Sequence, residues 1–177
     1  VLVRAGRMYL PFGIRNIEHT AWARKATRTN FNDAQTYGLA VAYTGEKLRG
    51  EVLGMAGNYL VRPDDYRERG YSALAEYFFI PQVGVGVSSL AAWAKADEVT
   101  SSARSYSRQA HGVFVRAVPI EKIALMAEVD ALVYSARDNT EAGWTSMVQA
   151  DYEVVQGVHL QVMGETLQNP QPGSSTA

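Results

Sequence analysis

The chain has 177 residues and a formal net charge of -1, with 18 acidic and 17 basic side chains. A chain of this length can form one domain with a real core, and its balanced charge gives no reason to expect a nucleic-acid partner. It has no cysteine, so disulfides and thiolate metal sites within the chain are excluded. No run approaches the roughly 18 to 20 apolar residues of a membrane helix, so a helical membrane protein is not expected.

Alternation of apolar and polar residues with a period of two predicts about nine β-strands. We expect them at residues 2–14, 35–45, 48–60, 70–80, 82–96, 108–118, 121–135, 143–155 and 157–168. The strands and the loops between them form one unit, residues 1–168, and the last residues, 169–177, are expected to form a loop-like tail.

The eighth predicted strand shows the alternation most clearly. Every second residue from Trp144 to Val154 can face hydrocarbon, whereas Gln149, Asp151 and Glu153 lie between them. Trp144 and Tyr152 are separated by roughly 25 Å at a rise of about 3.3 Å per residue. This is about the height of the apolar band of an outer-membrane barrel.

The connections between the predicted strands alternate in length. Tight turns are predicted at residues 44–47, 80–82, 119–122 and 155–157, and long polar segments at 15–34, 61–69, 97–107 and 136–143. In an up-and-down transmembrane barrel, short turns lie on one side of the membrane and long loops on the other. A soluble β-sandwich has no need of this alternation, so the pattern favours the barrel.

Aromatic residues cluster at both ends of the apolar faces. At the long-loop ends we expect Tyr37, Tyr71, Trp93 and Trp144, and toward the tight turns Tyr43, Tyr77, Phe79 and Tyr152. Two such groups are typical of two membrane interfaces. General enrichment of aromatic residues in strands is the alternative, but it predicts scatter along each strand.

The positions opposite the apolar faces are polar. They are expected to line an aqueous lumen, and they are Glu76, Arg116, Glu128, Asp130, Gln149, Asp151, Glu153, His159, Gln161 and Glu165. An acidic wall would favour cations. Alternatively, the wall is polar as barrel interiors generally are, and its carboxylates pair with Arg or Lys of further strands that are missing from this sheet. The faces of the first and third strands are ambiguous from the sequence.

Two other groups of residues could bind ligands. His159 with Asp151, Glu153 and Glu165 could form a metal or acid–base cluster, but a row of residues along one strand is more typical of a solvated wall. The basic segment from Arg15 to Asp33 could fold inward as a constriction, contact lipopolysaccharide phosphates, grip a protein partner or be an ordinary exposed loop.

An odd number of strands does not fit a complete barrel, because single-chain bacterial barrels have an even number of strands. An unclosed sheet would also expose unpaired edges to lipid. We therefore expect the chain to belong to a larger barrel. A miscounted barrel of about eight or ten strands remains the alternative.

The first predicted strand contains Gly6-Arg7-Met8-Tyr9-Leu10-Pro11-Phe12-Gly13-Ile14. This stretch resembles a strand of porin-like outer-membrane proteins of the phosphate-selective porin group, in which Gly-x-x-x-Leu-Pro-Phe-Gly leads into the first long external loop. The resemblance covers about a dozen residues, by the motif alone. It implies a large barrel with a water-filled lumen that passes small solutes, and it does not extend to anion selectivity.

These patterns together predict an all-β antiparallel up-and-down transmembrane barrel in a bacterial outer membrane. The expected function is that of a porin-like channel for passive diffusion of small hydrophilic solutes or ions, without enzymatic activity or cofactor. A barrel scaffold within a larger outer-membrane complex and a soluble ligand-binding β-barrel or β-sandwich are the alternatives. The expected partners are outer-membrane lipid and lipopolysaccharide, solutes, and further protein chains in an oligomer or complex.

Overall fold

The computed structural model describes residues 1–15, 21–30, 34–97, 103–136 and 139–168. They form a single antiparallel sheet of nine strands in chain order, and the sheet does not close, so β1 and β9 are its edges. The strands are β1 Leu2–Tyr9, β2 Gln35–Thr44, β3 Leu48–Gly57, β4 Arg69–Ile80, β5 Val83–Ala94, β6 Tyr106–Ile120, β7 Ile123–Ala136, β8 Asn139–Val155 and β9 Val158–Gln168. A short helix, α1 (Trp22–Ala26), and a 3-10 turn, Asp64–Tyr66, lie in the connections.

All nine predicted strands are present, but the first is shorter than the alternation predicts. It ends at Tyr9 rather than at residue 14. Pro11 has no N–H to donate to a sheet, and Gly13 adopts a positive φ of 55°, which a residue with a side chain rarely adopts. The chain therefore leaves the sheet after Tyr9 and turns across one of its faces.

The connection between β7 and β8 also differs from the prediction. A long polar segment was expected at 136–143, yet Ala136 pairs with Asn139 and only residues 137–138 separate the two strands. Ser135 and Thr140 share a hydrogen bond of 3.0 Å between their hydroxyls in this added part of the hairpin. The sequence prediction was wrong here because short polar side chains are accepted at an exposed hairpin end.

The sheet has two faces of opposite character. Residues 10–15 and 21–30, which we call the inner segment, pack on one face of the sheet. We call this face the inner face and the opposite one the outer face. In β7, Leu125 and Val129 are exposed on the outer face, whereas Glu128 and Asp130 are buried on the inner face. Because strand side chains alternate, each strand contributes to both faces.

The structure resolves the two strands whose faces were ambiguous. In β3, Leu53 and Met55 are buried on the inner face, and Val52 is exposed on the outer face. In β1, Arg4 contacts Glu51 on the inner face. Arg7 pairs in register with Tyr37 and is exposed on the outer face.

The core lies between the inner segment and the inner face. Leu10 and Phe12 pack against Leu53, Leu90 and Leu132 in one cluster. Ile14 and Ala23 pack against Phe114 and Met147 in a second. The glycine of β5 at position 86 makes room for the ring of Phe114, because a Cβ there would overlap that ring. Within the described part of the chain, no helix combines the length and apolarity needed to cross a membrane.

Candidate functional site: the apolar outer face and the charged inner face

The outer face exposes large apolar side chains over much of its area. Val148 in β8 and Val162 in β9 have 61% and 64% of their surfaces exposed, and Leu39 and Val87 are each more than half exposed. No second sheet covers this face among the described residues. A soluble monomer rarely exposes apolar patches larger than a few hundred Å².

All eight predicted interface aromatics lie on this outer face. Seven are exposed: Tyr43, Tyr71, Tyr77, Phe79, Trp93, Trp144 and Tyr152. Tyr37 is half buried because its ring packs edge-on against that of Tyr59, with 5.2 Å between the ring centroids. The aromatic residues thus border the apolar surface at both strand ends.

The aromatic positions nearest the tight turns shift steadily across the sheet. The row of cross-strand partners of Tyr43 runs through Gly50, Ala75, Val87, Val113 and Val129 to Ser146. Along β8, Tyr152 lies beyond Ser146 toward the tight turn, by about 20 Å at a strand rise of about 3.3 Å. The distance across the sheet from β2 to β8 is about 29 Å. At the other strand ends, Trp144 is displaced in the same direction from Ala142, which ends the row that contains Tyr71.

A line from Tyr43 to Tyr152 is therefore inclined by roughly 35° to the hydrogen-bonded rows. If these rings lie in one plane, the strands are tilted from the normal of that plane by the same angle. Transmembrane barrel strands are tilted by about 35–45°. At the long-loop ends the positions are less regular, because Trp93 lies two residues on the long-loop side of the row that contains Tyr71, whereas Trp144 lies two residues on its tight-turn side.

The ten residues predicted to line a lumen all lie on the inner face. Glu76, Glu128, Asp130 and Gln149 are buried there. The other six are partly or fully exposed, and they are Arg116, Asp151, Glu153, His159, Gln161 and Glu165. The structure thus brings the set to one face but divides it between a covered part and an open part.

The carboxylates of this face do not form an unpaired acidic wall. Glu76 accepts hydrogen bonds of 2.8 Å from Nε and NH2 of Arg116 and also contacts Arg49. Toward the sheet edge, Glu51 lies between Arg4 and Arg15. Four guanidinium groups surround these two carboxylates, so this part of the inner face, from β1 to β6, has an excess of positive charge.

The inner segment is held by a buried ionic contact in the middle of the inner face. Arg24 of α1 contacts Glu128. The Nη2 atom of Arg24 also lies 3.9 Å from Oδ2 of Asp130. The backbone N–H of Ile14 donates to the other oxygen of Glu128 at 2.7 Å. Asp130 accepts no hydrogen bond from a described residue. The sequence left several possibilities open for the basic segment from Arg15 to Asp33. Its described residues, Arg15 and 21–30, fold inward onto the sheet.

A second cluster lies nearer the long connections. Glu68 accepts hydrogen bonds from Nε and NH2 of Arg108 at 2.6 and 2.7 Å, and the hydroxyl of Tyr106 donates to it at 2.6 Å. Burial alone would raise the pKa of Glu68, but Arg108, Tyr106 and Arg28 outweigh it and lower this pKa to about 2. Arg108 also donates to the carbonyl of Thr27 at 2.6 Å, which ties the inner segment to β6.

The polar residues near β9 remain largely open. Nδ1 of His159 lies 2.7 Å from Oδ1 of Asp151, and Glu165 accepts a 3.3 Å hydrogen bond from the N–H of Ala23. Among the described residues, no three His, Cys, Asp or Glu side chains come together as metal ligands. The row along β8 and β9 therefore has the arrangement of a solvated wall.

Sequence reasoning missed most of the arginines that compensate the carboxylates. Arg49 and Glu51 are two residues apart in β3 and could have been placed on one face by a clearer apolar pattern. Arg24 and Glu68 lie in connections, where no periodicity indicates which way a side chain points. Their partners, Glu128 and Arg108, are distant in sequence, so only the fold brings these charges together.

The chain matches no protein-family model, and neither a curated protein nor a solved structure is significantly similar to it. The likeness of residues 6–14 to porin-like strands therefore remains a local resemblance.

Proposed function

We propose that this chain forms part of the wall of a porin-like β-barrel in a bacterial outer membrane, through which small hydrophilic solutes or ions diffuse passively. The observation that carries the proposal is the contrast between the two faces: exposed valines, leucines and aromatic rings on one, and paired charges on the other. Lipid would contact the outer face, and water and the inner segment the inner face.

The inclination of the row of aromatics near the tight turns supports the membrane part of the proposal. A soluble sheet has no reason to place Tyr43, Tyr77 and Tyr152 at strand positions that shift steadily from β2 to β8. Interface residues of a tilted barrel must shift in this way, because each successive strand is displaced along its neighbour. The apolar band between the aromatics then has about the height of a barrel's hydrophobic belt.

The two edges of the sheet support a larger barrel. β1 and β9 are both odd-numbered in an antiparallel series, so they run in the same direction. An odd number of added strands would close such a sheet with antiparallel pairs throughout. A second copy in the same orientation, placed edge to edge, would instead create two parallel junctions, whereas outer-membrane barrels are built of antiparallel strands. We infer completion by further antiparallel strands.

Three tryptophans provide a direct test of the membrane-facing surface. Trp93 and Trp144 are exposed on the outer face. Trp22 is also exposed, but it belongs to α1, which packs on the inner face. In vesicles of brominated lipid, single-tryptophan variants of the full-length protein should show strong fluorescence quenching for Trp93 and Trp144 and weak quenching for Trp22. Equal quenching at all three positions, or none, would contradict the assignment of the faces.

Planar-bilayer recording tests the channel itself. The full-length protein should produce discrete conductance steps after insertion. Because the inner segment covers part of the inner face, we expect the steps to grow when residues 16–30 are replaced by a short Gly/Ser linker. Silence of both proteins, once insertion is established by the quenching experiment, would reject the channel.

A barrel scaffold within a larger complex is the second candidate. The observation that favours it is the packing of Leu10, Phe12 and Ile14 into the inner face, which fills part of the volume that a channel would keep open. A scaffold predicts the same quenching pattern without conductance. The two experiments together therefore separate a channel, a scaffold and a soluble sheet.

A further inference from the structure

A cavity of about 300 Å³ lies between the inner segment, the connection from β3 to β4 and the long-loop halves of β2, β3 and β6. It lies on the inner face and is separate from another cavity nearer the tight turns, which Arg49 and Arg116 line. Its volume is at the lower end of the range for ligand pockets, about 300–1,000 Å³. A molecule with a single ring fits this size.

The cavity wall is rich in basic groups. Lys25, Arg28, Arg67 and Arg108 line it together with Arg24, and Glu68 is the one carboxylate among the described lining residues. The partners of several of these arginines lie outside the lining, since Arg28 contacts Asp97 and Arg67 contacts Asp64. Glu68, which contacts Arg108 and lies 3.6 Å from Arg28, is itself in the lining, so the described lining residues include five cationic groups and one carboxylate.

Lys25 is the basic residue best placed to bind an added anion. It is exposed, and no ion pair involves it among the described residues, whereas the four arginines are already engaged. An ammonium without a protein partner can gain a charge-assisted hydrogen bond without breaking an existing one. The cavity therefore has one cationic group available and several that contribute a positive field.

The remaining described lining of the cavity combines apolar and aromatic side chains with four uncharged polar ones, Asn30, Gln35, Thr36 and Asn58. Leu10 and Met55 belong to the buried core and form part of this lining, together with Val61 and the rings of Tyr66 and Tyr106. Such surfaces gain free energy by covering a hydrocarbon ring rather than water. A purely inorganic anion would leave this apolar part of the cavity unused.

We propose that this cavity binds an arylcarboxylate, a monoanion with one aromatic ring, whose carboxylate contacts Lys25 and whose ring covers Leu10 and Met55. A monoanion matches this lining because Lys25 is the one cationic group there that has no ion-pair partner among the described residues. The basic lining disfavours organic cations, because like charges repel. This proposal goes beyond passive diffusion and does not depend on it, since binding can be measured whether or not the barrel conducts.

Calorimetric titration of the folded full-length protein in detergent tests the proposal, with benzoate as the probe. Acetate lacks the ring, benzyl alcohol lacks the charge, and benzylammonium reverses it. Benzoate should bind about tenfold or more tightly than acetate, because its ring buries apolar surface. It should also bind about tenfold or more tightly than benzyl alcohol and benzylammonium, because neither has the negative charge that Lys25 and the arginines attract. Inorganic phosphate binding as tightly as benzoate would overturn the requirement for a ring.

Two variants and a control assign the site. Lys25→Gln should weaken benzoate binding about fivefold at low salt, as expected for one charge contact near the surface, and leave the weak binding of benzyl alcohol unchanged. Val61→Ser should weaken both. Lys95→Gln, at a lysine with 74% of its side chain exposed outside the cavity lining, should change neither. Equal benzoate affinities of the Lys25 and Lys95 variants would overturn the proposal, as would failure of benzoate to bind more tightly than acetate.

Discussion

The guanidinium of Arg24 contacts the carboxylate of Glu128 at a point where 6% and 0% of the two side chains remain exposed. The two residues lie on α1 and β7, and their contact joins the inner segment to the middle of the sheet. Removal of one partner from a buried ion pair leaves an uncompensated charge, whereas replacement of both by apolar residues is often tolerated.

Glu128→Gln should therefore lower the free energy of unfolding by about 3 kcal/mol or more. Part of this loss should be recovered in the triple variant Arg24→Leu, Glu128→Leu, Asp130→Asn, because Asp130 lies 3.9 Å from Arg24 and would otherwise stay buried without that cation. Urea titration of the protein in detergent measures both values. Glu46→Gln, in the exposed turn between β2 and β3, is the matched control and should stay within about 0.5 kcal/mol of the wild type. A Glu128 variant as stable as this control would contradict a structural role for the pair.

Opposite faces of one sheet should respond differently to an added charge. Val148→Arg places a cation midway between Trp144 and Tyr152 on the outer face and should cost about 2–4 kcal/mol in a bilayer. Gln161→Arg places the same group on the open part of the inner face and should cost far less. Gln149 is a poorer comparison because only 4% of it is exposed. Folding titrations in lipid vesicles measure the difference, and equal costs would argue against the lipid-facing assignment.

The Glu68 cluster should make stability depend on pH in the acid range. The pKa of Glu68 is about 2 in the folded chain, against an ordinary value of 4.5. The carboxylate therefore contributes its full stabilisation above about pH 4.5, on the order of 3 kcal/mol, and loses it as the pH falls toward about 2.

The comparison of wild type with Glu68→Gln isolates this contribution. The difference between their free energies of unfolding should be constant from about pH 7 to 5 and should shrink below about pH 4.5, where the unfolded carboxyl takes up a proton first. Denaturant titrations at a series of pH values measure it. A difference that does not change with pH would mean that the charge of Glu68 is not what stabilises the cluster.

The charge balance near the tight turns should affect ion preference if the barrel conducts. Glu76→Gln would remove the carboxylate between Arg49 and Arg116, whose side chains remain 43% and 33% exposed. The permeability ratio of chloride to potassium should rise by about two- to fivefold, because one unit charge at close range in water corresponds to about 1 kcal/mol. Reversal potentials in a salt gradient measure the ratio. Glu121→Gln, in the exposed turn after β6, is the control. An equal rise of the permeability ratio in this variant would mean that Glu76 has no specific effect on ion preference.

Much of the sheet could be predicted because strands have a period of two. Once Trp144 and Val148 are placed on one face, Gln149 and Asp151 must lie on the other, and eight of the nine strands were located to within about four residues by this rule. The first strand was predicted too long, since Leu10 and Phe12 continue the apolar pattern but face the core from the inner segment rather than from a strand.

The charged contacts of the inner face could not be predicted in the same way. The carboxylates were placed on the correct face, but an acidic wall was only one of the two possibilities, and the arginines that compensate Glu76 and Glu51 come from neighbouring strands and from the inner segment. Cross-strand partners depend on the pairing register and on the path of long connections, and the alternation within one strand contains neither.

The sequence by itself therefore determined the number of strands, their order along the chain and the apolar or polar character of each face, because these follow from local alternation and turn residues. Only the tertiary structure decided that residues 10–15 and 21–30 pack on the inner face, that Arg24 contacts Glu128 and that a cavity lies beside Lys25. Each of these depends on residues far apart in the chain, whose proximity is set by the packing of the whole sheet and not by any local preference.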